Sequence, residues 1–289
     1  MKVISIIIIL ILSMNIVCDA EEIVPVMNKV VELVEIEGIE VPVLMYHHIA
    51  ETVESGNTLV VTPEKFKADM KYLKEQGYST IGLNDLYMYL NGEIELPVKP
   101  IIITFDDGYK SNYEYAYPIA KELDMKYVIS VVGWSMGRET FIDSDKPIIP
   151  HFSLEEAKEM VQSGHIEIQN HTFDLHNPEG LSYGYSLKTG RGVKPYELED
   201  ECNYKMRLKE DLLKLNSLLE EVGIKALFIT YPYGAYIDIT EEVVQDIGFV
   251  GSVTTEEGIR VYKNLEDLYK IPRLNITEEL TLEEIINKY

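Results

Sequence analysis

Eight short apolar runs between residues 41 and 274, each separated from the next by a helical pattern or a turn, constrain the fold more than any other feature. They are Val41–Met45, Ser79–Ile81, Pro100–Phe105, Lys126–Val132, His165–Asn170, Ala226–Tyr231, Phe249–Val253 and Tyr269–Leu274. Each has the length and β-branched or aromatic content of a strand. The intervening helices are punctuated. Thr62 caps one, with Pro63 at its first position and Gly77 past its end. Ser153-Leu154-Glu155-Glu156 is a capping box whose helix stops at Gly164. A long amphipathic stretch from Leu198 to Val222 ends at Gly223, and Thr281-Leu282-Glu283-Glu284 opens the last helix. Strands alternating with helices predict a mostly parallel α/β sheet. Seven or eight of them in one series predict a single (β/α) barrel, TIM-like, either closed or incomplete with seven strands.

In such barrels the chemistry sits at the C-terminal ends of the strands. Tyr46-His47, Asp106-Asp107, Gly133-Trp134, His171, Pro232-Tyr233 and Thr254-Thr255 follow the strands, so acids, imidazoles and aromatics converge on one rim. The run Ile101-Ile102-Ile103-Thr104-Phe105 ends abruptly in Asp106-Asp107-Gly108-Tyr109. Two adjacent carboxylates leave a strand end in different directions. One can therefore bind a metal while the other takes a proton. Asn170-His171-Thr172-Phe173-Asp174-Leu175-His176 also follows a strand, and its two imidazoles face one point if the chain turns between them. Two His and one carboxylate are a common zinc shell with positions left for water and substrate.

The ends of the chain and its charge speak to compartment and partners. Lys2 precedes an apolar run, Val3 to Val17, and Cys18-Asp19-Ala20 offers a small-residue exit before Glu21-Glu22. Residues 1–20 are read as a signal peptide, with an uncleaved membrane anchor as the alternative, residues 21–40 as an acidic linker, and 41–289 as the folded domain. Either reading exports the bulk of the chain, to a secreted or envelope-associated place. Only Cys18 and Cys202 are present, so a cleaved product keeps one cysteine and forms no internal disulfide. A net charge of −23 argues against DNA or RNA as partner, since phosphate binding needs clustered Lys and Arg.

TFDDGY (Thr104–Tyr109), then HTFDLH (His171–His176), then YPYG (Tyr231–Gly234), in that order, resembles the polysaccharide deacetylases, the NodB-homology domains of carbohydrate esterase family 4. The resemblance runs from about Val41 to Leu274. It implies a metal-dependent hydrolase releasing acetate from an acetylated polysaccharide such as an N-acetylglucosamine polymer. It implies Asp106 as general base, Asp107, His171 and His176 as ligands of a divalent ion, most simply zinc, and the Tyr233 backbone N–H as an oxyanion donor. Two departures stand out. Many members carry an Arg beside the YPYG position, where this chain has Thr230 and Tyr231. Many keep the general-acid His near the C-terminus, but no His lies beyond His176. Val43-Leu44-Met45-Tyr46-His47-His48 is similar to the branch acting on poly-N-acetylglucosamine, in which the acid follows the first strand. His47 is the expected acid, across the metal from Asp106, with His48 as the alternative. His151 and His165 are read as structural, Trp134 either as a stacking platform for a sugar ring or as core, and Tyr183 and Tyr185 either as groove residues or as part of a loop. An O-acetyl esterase and a non-catalytic carbohydrate-binding relic remain as alternatives.

Overall fold

Almost every apolar run forms the strand it predicts. The computed structural model describes residues 38–142, 144–180 and 189–289. The expected leader, most of the linker, and Tyr183 and Tyr185 lie outside the described residues. The folded unit spans Ile39–Tyr289. It therefore begins before the expected boundary at Val41, because Ile39 and Glu40 already belong to a strand.

In chain order the strands are β1 (Ile39–Val41), β2 (Val43–Tyr46), β3 (His48–Ile49), β4 (Val60–Val61), β5 (Ser79–Ile81), β6 (Pro100–Phe105), β7 (Tyr127–Val131), β8 (Ile166–Asn170), β9 (Phe228–Thr230), β10 (Gly251–Val253), β11 (Arg260–Tyr262) and β12 (Leu274–Asn275). The helices are α1 (Pro63–Glu75), α2 (Leu83–Leu90), α3 (Tyr117–Leu123, entered through a π turn at Asn112–Ala116), α4 (Leu154–Gln162), α5 (Glu201–Glu220), α6 (Asp238–Asp246) and α7 (Leu282–Ile286). The predicted caps are made. Thr62 Oγ1 accepts the Lys65 N–H, Ser153 Oγ accepts the Glu156 N–H, and Thr281 Oγ1 accepts the Glu284 N–H.

The main sheet runs β10-β9-β8-β7-β6-β2-β12, with β5 also paired to β6, and every ladder in it is parallel. It curls into an incomplete (β/α) barrel. Its two edges meet through one isolated bridge, Val253 with Ile271, where Ile271 N–H donates to Ser252 O (2.8 Å) and Thr254 N–H to Ile271 O (2.9 Å). The strand expected at Tyr269–Leu274 is thus reduced to that bridge, and β12 begins only at Leu274. Two residues explain this. Pro272 has no N–H for a ladder, and Lys270 is in the left-handed region (φ 59°).

Period-two alternation sorts the barrel into two faces. Ile101, Ile103 and Phe105 of β6 face outward and pack with Phe66, Met70 and Leu73 of α1, Met160 of α4 and Leu215 of α5. Each such side chain contributes about 1.5–3 kcal/mol on burial. Ile102 faces inward, against Val43, Val128, Phe228, Val253 and Ile271 from five neighbouring segments. The next inward position of β6 is Thr104 and the one after it Asp106. The interior therefore changes from apolar to hydroxyl to charged toward the C-terminal ends of the strands, with Ser130 and Thr230 joined by a 2.7 Å hydrogen bond in the middle layer.

Candidate active site

Three of the turns that leave the sheet share a backbone device. Asp107 after β6 (φ 75°), Thr172 after β8 (φ 73°) and Tyr233 after β9 (φ 59°) are non-glycine residues in the left-handed region. Such conformations cost on the order of 1–3 kcal/mol each and persist where surrounding structure enforces them. Here they reverse the chain just past the strand ends, and Asp107, His171, His176 and Tyr233 come together.

The His171–His176 turn is pinned along its length. Asn170 Oδ1 accepts the Thr172 N–H (2.7 Å), Thr172 Oγ1 accepts the Leu175 N–H (3.2 Å), and the Asp211 carboxylate of α5 accepts the N–H groups of Phe173 and Asp174 at 2.8 Å each. Asp211, which the sequence reading did not single out, is pushed up to about 6 by burial, against the pull of those two N–H groups. The turn brings the two imidazoles to 5.1 Å between ring centroids. Asp107 Oδ1 lies 3.4 Å from His171 Nε2 and 3.1 Å from His176 Nε2. One ligand atom from each of the three residues falls within 4.8 Å of the others.

Those separations suit a metal. Ligands about 2.0–2.2 Å from a tetrahedral zinc stand roughly 3.3–3.6 Å from one another. The tautomer suits it as well, because His171 Nδ1 lies 2.7 Å from the Thr230 carbonyl, to which it donates, leaving the Nε2 lone pair free for a cation. Burial raises the Asp107 carboxyl, but the adjoining His171 and His176 imidazoles outweigh it and hold the group well below the usual carboxylate range. Burial lowers His176, and Asp107 more than restores it, so its net direction is upward. The donor set and its spacing fit a divalent ion.

Asp106 points inward beside this cluster and is joined to an arginine that sequence reasoning missed. Arg273, fully buried, donates from both terminal nitrogens to the two Asp106 oxygens at 2.7 Å each. It donates further to Thr104 Oγ1 (3.0 Å) and the Thr254 carbonyl (2.8 Å). The arginine absent beside YPYG is therefore supplied from the seam segment before β12. Burial works to raise Asp106, but the Arg273 charge and hydrogen bonds prevail and hold its carboxyl below the ordinary range. The available signal was one charged residue inside an otherwise apolar Ile271-Pro272-Arg273-Leu274 run.

His47 also reaches the site, but not where expected. Its Nε2 lies 3.8 Å from Asp106 Oδ2, which leaves no room for an acetyl group between them. The cause is register. Tyr46 pairs with Phe105, so His47 and Asp106 are the next lateral neighbours on adjacent parallel strands. Strands lie about 4.8 Å apart, and the two side chains therefore stand side by side rather than across the site. Burial lowers His47, with Asp106 and Asp107 opposing. His48 turns elsewhere, with Nδ1 2.9 Å from Ser111 Oγ and its ring against Tyr109. Tyr109 packs on its other neighbour, His151, at 5.1 Å. His151, expected to be structural, lines the same cleft as Asp107, His176 and Trp134. His165 lies at the start of β8, 3.3 Å from Asp124. The Tyr233 ring rests on His176 with centroids 4.6 Å apart.

Comparison with known proteins identifies the family. Residues 93–252, 160 of the 289, match the polysaccharide deacetylase family. The YxkH protein of Bacillus subtilis (strain 168) is 32% identical over 219 residues, covering 76% of this chain and 66% of that protein. The poly-β-1,6-N-acetyl-D-glucosamine N-deacetylase of Staphylococcus aureus (strain MSSA476) is 27% identical over 229 residues, covering 79% and 71%. The corresponding Escherichia coli (strain K12) enzyme is 23% identical, and the match spans 83% of this chain but only 37% of that one. Among solved structures, the de-N-acetylase of Aggregatibacter actinomycetemcomitans superposes with a TM-score of 0.73 at 23% identity, covering 87% of this chain and all of that one. IcaB of Ammonifex degensii superposes at 0.65 with 25% identity, covering 84% and 94%. A family match over more than half the chain, reached independently of the rim geometry, makes this chain a member of the polysaccharide deacetylases.

Proposed function

We propose that the chain removes N-acetyl groups from an N-acetylglucosamine polymer outside the cytoplasm, releasing acetate and leaving free amines on the glycan. The observation that carries this reading is the buried Asp106–Arg273 pair set directly beside the Asp107, His171 and His176 donors. A base held proton-free next to a three-donor cation site is what hydrolysis of an unactivated amide requires.

Asp107, His171 and His176 hold a divalent ion, for which zinc is the simplest choice. When bound, such an ion supplies Lewis acidity, acidifying water and polarising a carbonyl. Asp106 accepts a proton from the attacking water at a carboxylate oxygen. Arg273 keeps that carboxylate ionised and fixes its plane through two parallel hydrogen bonds. The Tyr233 N–H donates to the carbonyl oxygen as negative charge develops there. The C–N bond then breaks as His47 Nε2 delivers a proton to the nitrogen, because an amine anion is a very poor leaving group. Acetate and an amine are the products.

Two further observations favour the polymer. Relatives from Staphylococcus aureus and Escherichia coli carry the name poly-β-1,6-N-acetyl-D-glucosamine N-deacetylase. The apolar run at the start of the chain supports export to the place where such polymers lie. The deciding experiment is acetate release, with zinc added, from poly-N-acetylglucosamine, peptidoglycan, chitin oligomers and acetylated xylan. Release from the first two supports the reading. Release from xylan alone identifies an O-acetyl esterase, and release from none identifies a binding protein.

A further inference from the structure

The turn between His171 and His176 is held from two sides. On one side its carbonyls are taken, since Gly133 N–H donates to Thr172 O (3.0 Å) and Trp134 N–H to Phe173 O (2.9 Å). On the other side its N–H groups are taken. Phe173 N–H donates to Asp211 Oδ1 and Asp174 N–H to Asp211 Oδ2, at 2.8 Å each. From Thr172 O to Asp174 N–H, every backbone polar group of the turn is thus engaged.

Asp211 is mounted on a rigid part. Its helix, α5, buries Leu208, Leu212, Leu215 and Leu219. Asn170, the last residue of β8, donates to Leu212 O (3.1 Å) and to Asn216 Oδ1 (2.9 Å) of the same helix. One helix therefore grips both the strand end before His171 and the turn after it.

A carboxylate is a costly clamp. Burial pushes the Asp211 carboxyl up to about 6, and what opposes the shift is chiefly the pair of backbone N–H groups. The basic residues one turn to either side on α5 are engaged elsewhere. Arg207 donates to Glu199 (2.7 Å), and Lys214 Nζ stands over the Phe173 ring, 3.7 Å from its centroid. A desolvated carboxylate without a countercharge costs stability, so packing alone favours a neutral side chain at this position. What the carboxylate offers is two acceptors in one plane, which neither Asn nor Ser provides. A binding constellation must be held to within about 0.5 Å, and His171 and His176 flank the segment that those two acceptors fix.

We infer that Asp211 is a positioning residue that sets the cation affinity of the site, by fixing the spacing of the two imidazoles before the ion arrives. This rests on the reading that Asp107, His171 and His176 hold a divalent ion.

Zinc affinity of the full chain is measured by competition with a chromophoric chelator, and stability by urea unfolding of the zinc-free protein. Asp211→Asn keeps the shape but turns a donor toward one of the two N–H groups, and zinc should bind about 10–100-fold more weakly. Asp211→Glu keeps the charge and both acceptors but displaces them by one methylene, and should fall between Asp211→Asn and the unmodified chain. Two controls separate position from charge and from helix stability. Asp174→Asn removes an exposed negative charge from the turn itself and none of these hydrogen bonds, and should weaken zinc by no more than about fivefold, the scale of one exposed charge. Asp200→Ala removes the α5 cap, where Asp200 Oδ1 accepts the Asn203 N–H (2.9 Å), and should lower the unfolding midpoint with zinc affinity unchanged. An Asp211→Asn chain that binds zinc like the unmodified one overturns the inference and leaves the cation site standing. Equal weakening by Asp174→Asn also overturns it, by making charge the cause, and equal weakening by Asp200→Ala does so by making helix stability the cause. An unmodified chain that takes up no zinc rejects the cation site itself, and the role of Asp211 with it.

Discussion

Replacing Arg273 by methionine isolates the buried ion pair. The guanidinium is fully buried and makes two hydrogen bonds to Asp106, one to Thr104 and one to the Thr254 carbonyl. Methionine keeps much of the volume and none of the charge. It leaves the Asp106 carboxylate, itself 3% exposed, without its countercharge. Breaking a buried pair from one side costs about 3–5 kcal/mol, and for a domain of this size each kcal/mol moves Tm by roughly 2–4 °C. Urea unfolding in chelator, where bound ion adds no stability, should show a lower midpoint with an unchanged slope. Asp106→Leu should cost a similar amount, because it strands the arginine. The double variant Arg273→Met/Asp106→Leu removes both charges together and should recover most of the loss, giving a coupling energy of at least about 2 kcal/mol. Strict additivity of the two single losses would refute the pairing, as would an Arg273→Met cost below about 1 kcal/mol. With zinc supplied, Arg273→Met should keep one ion per chain while turnover falls at least about 10²-fold, since the three donors are untouched and the base is not.

The adjacent carboxylates should separate cleanly. Asp106→Asn is expected to retain metal with turnover collapsed, whereas Asp107→Asn should lose metal itself; equal metal loss measured by atomic absorption would reverse the assignment. His47→Ala should lose about 10²–10⁴-fold on an N-acetyl substrate with metal retained, and lose less on an O-acetyl ester, whose alkoxide leaves more easily. An equal loss on both would remove His47 as the acid. Glu167, deep in the barrel, supplies a pH prediction of stability. Burial pushes it from an ordinary value of 4.5 up to about 7, against Gln169, the Asn84 N–H and Lys126. Its folded state thus holds a proton that the unfolded state has released. The stabilisation is fully present below about 4.5 and is lost as pH rises through about 7, at most about 3 kcal/mol in total. Glu167→Gln should flatten the unfolding profile across that window, and an unchanged difference between the two proteins from pH 4.5 to 7.5 would refute the shift.

How much of this was legible in the sequence depends on the range of the forces involved. β6 falls where its apolar run does, because a strand buried on both faces needs an uninterrupted run. The helix starts at Thr62, Ser153 and Thr281 are set by side chains bonding three residues ahead, and local bonds leave local signatures. The rim could be assembled for a similar reason. A βα series sends every strand end to one side, so the residues after the strands meet whatever their sequence separation. What local pattern cannot carry is lateral register and the closure of the sheet. The pairing of Tyr46 with Phe105 turns His47 from a partner across the site into a neighbour of Asp106, and nothing within either run encodes that pairing. Arg273 and Asp106 are 167 residues apart and meet only because the seam segment crosses from β10 to β2.

The same crossing explains why an irregular segment occupies that seam. A regular strand at Tyr269–Leu274 would align a continuous ladder with β10. Left-handed Lys270 stands just before the Ile271 bridge and Pro272 just after it, and Arg273 N–H donates to Glu256 O at 2.8 Å, beyond the end of β10. The guanidinium can then enter the interior at the level of Thr104 and Asp106 rather than being held in a tight inter-strand layer. The charge that the YPYG turn does not provide thus comes from the irregular segment that joins the two edges of the sheet.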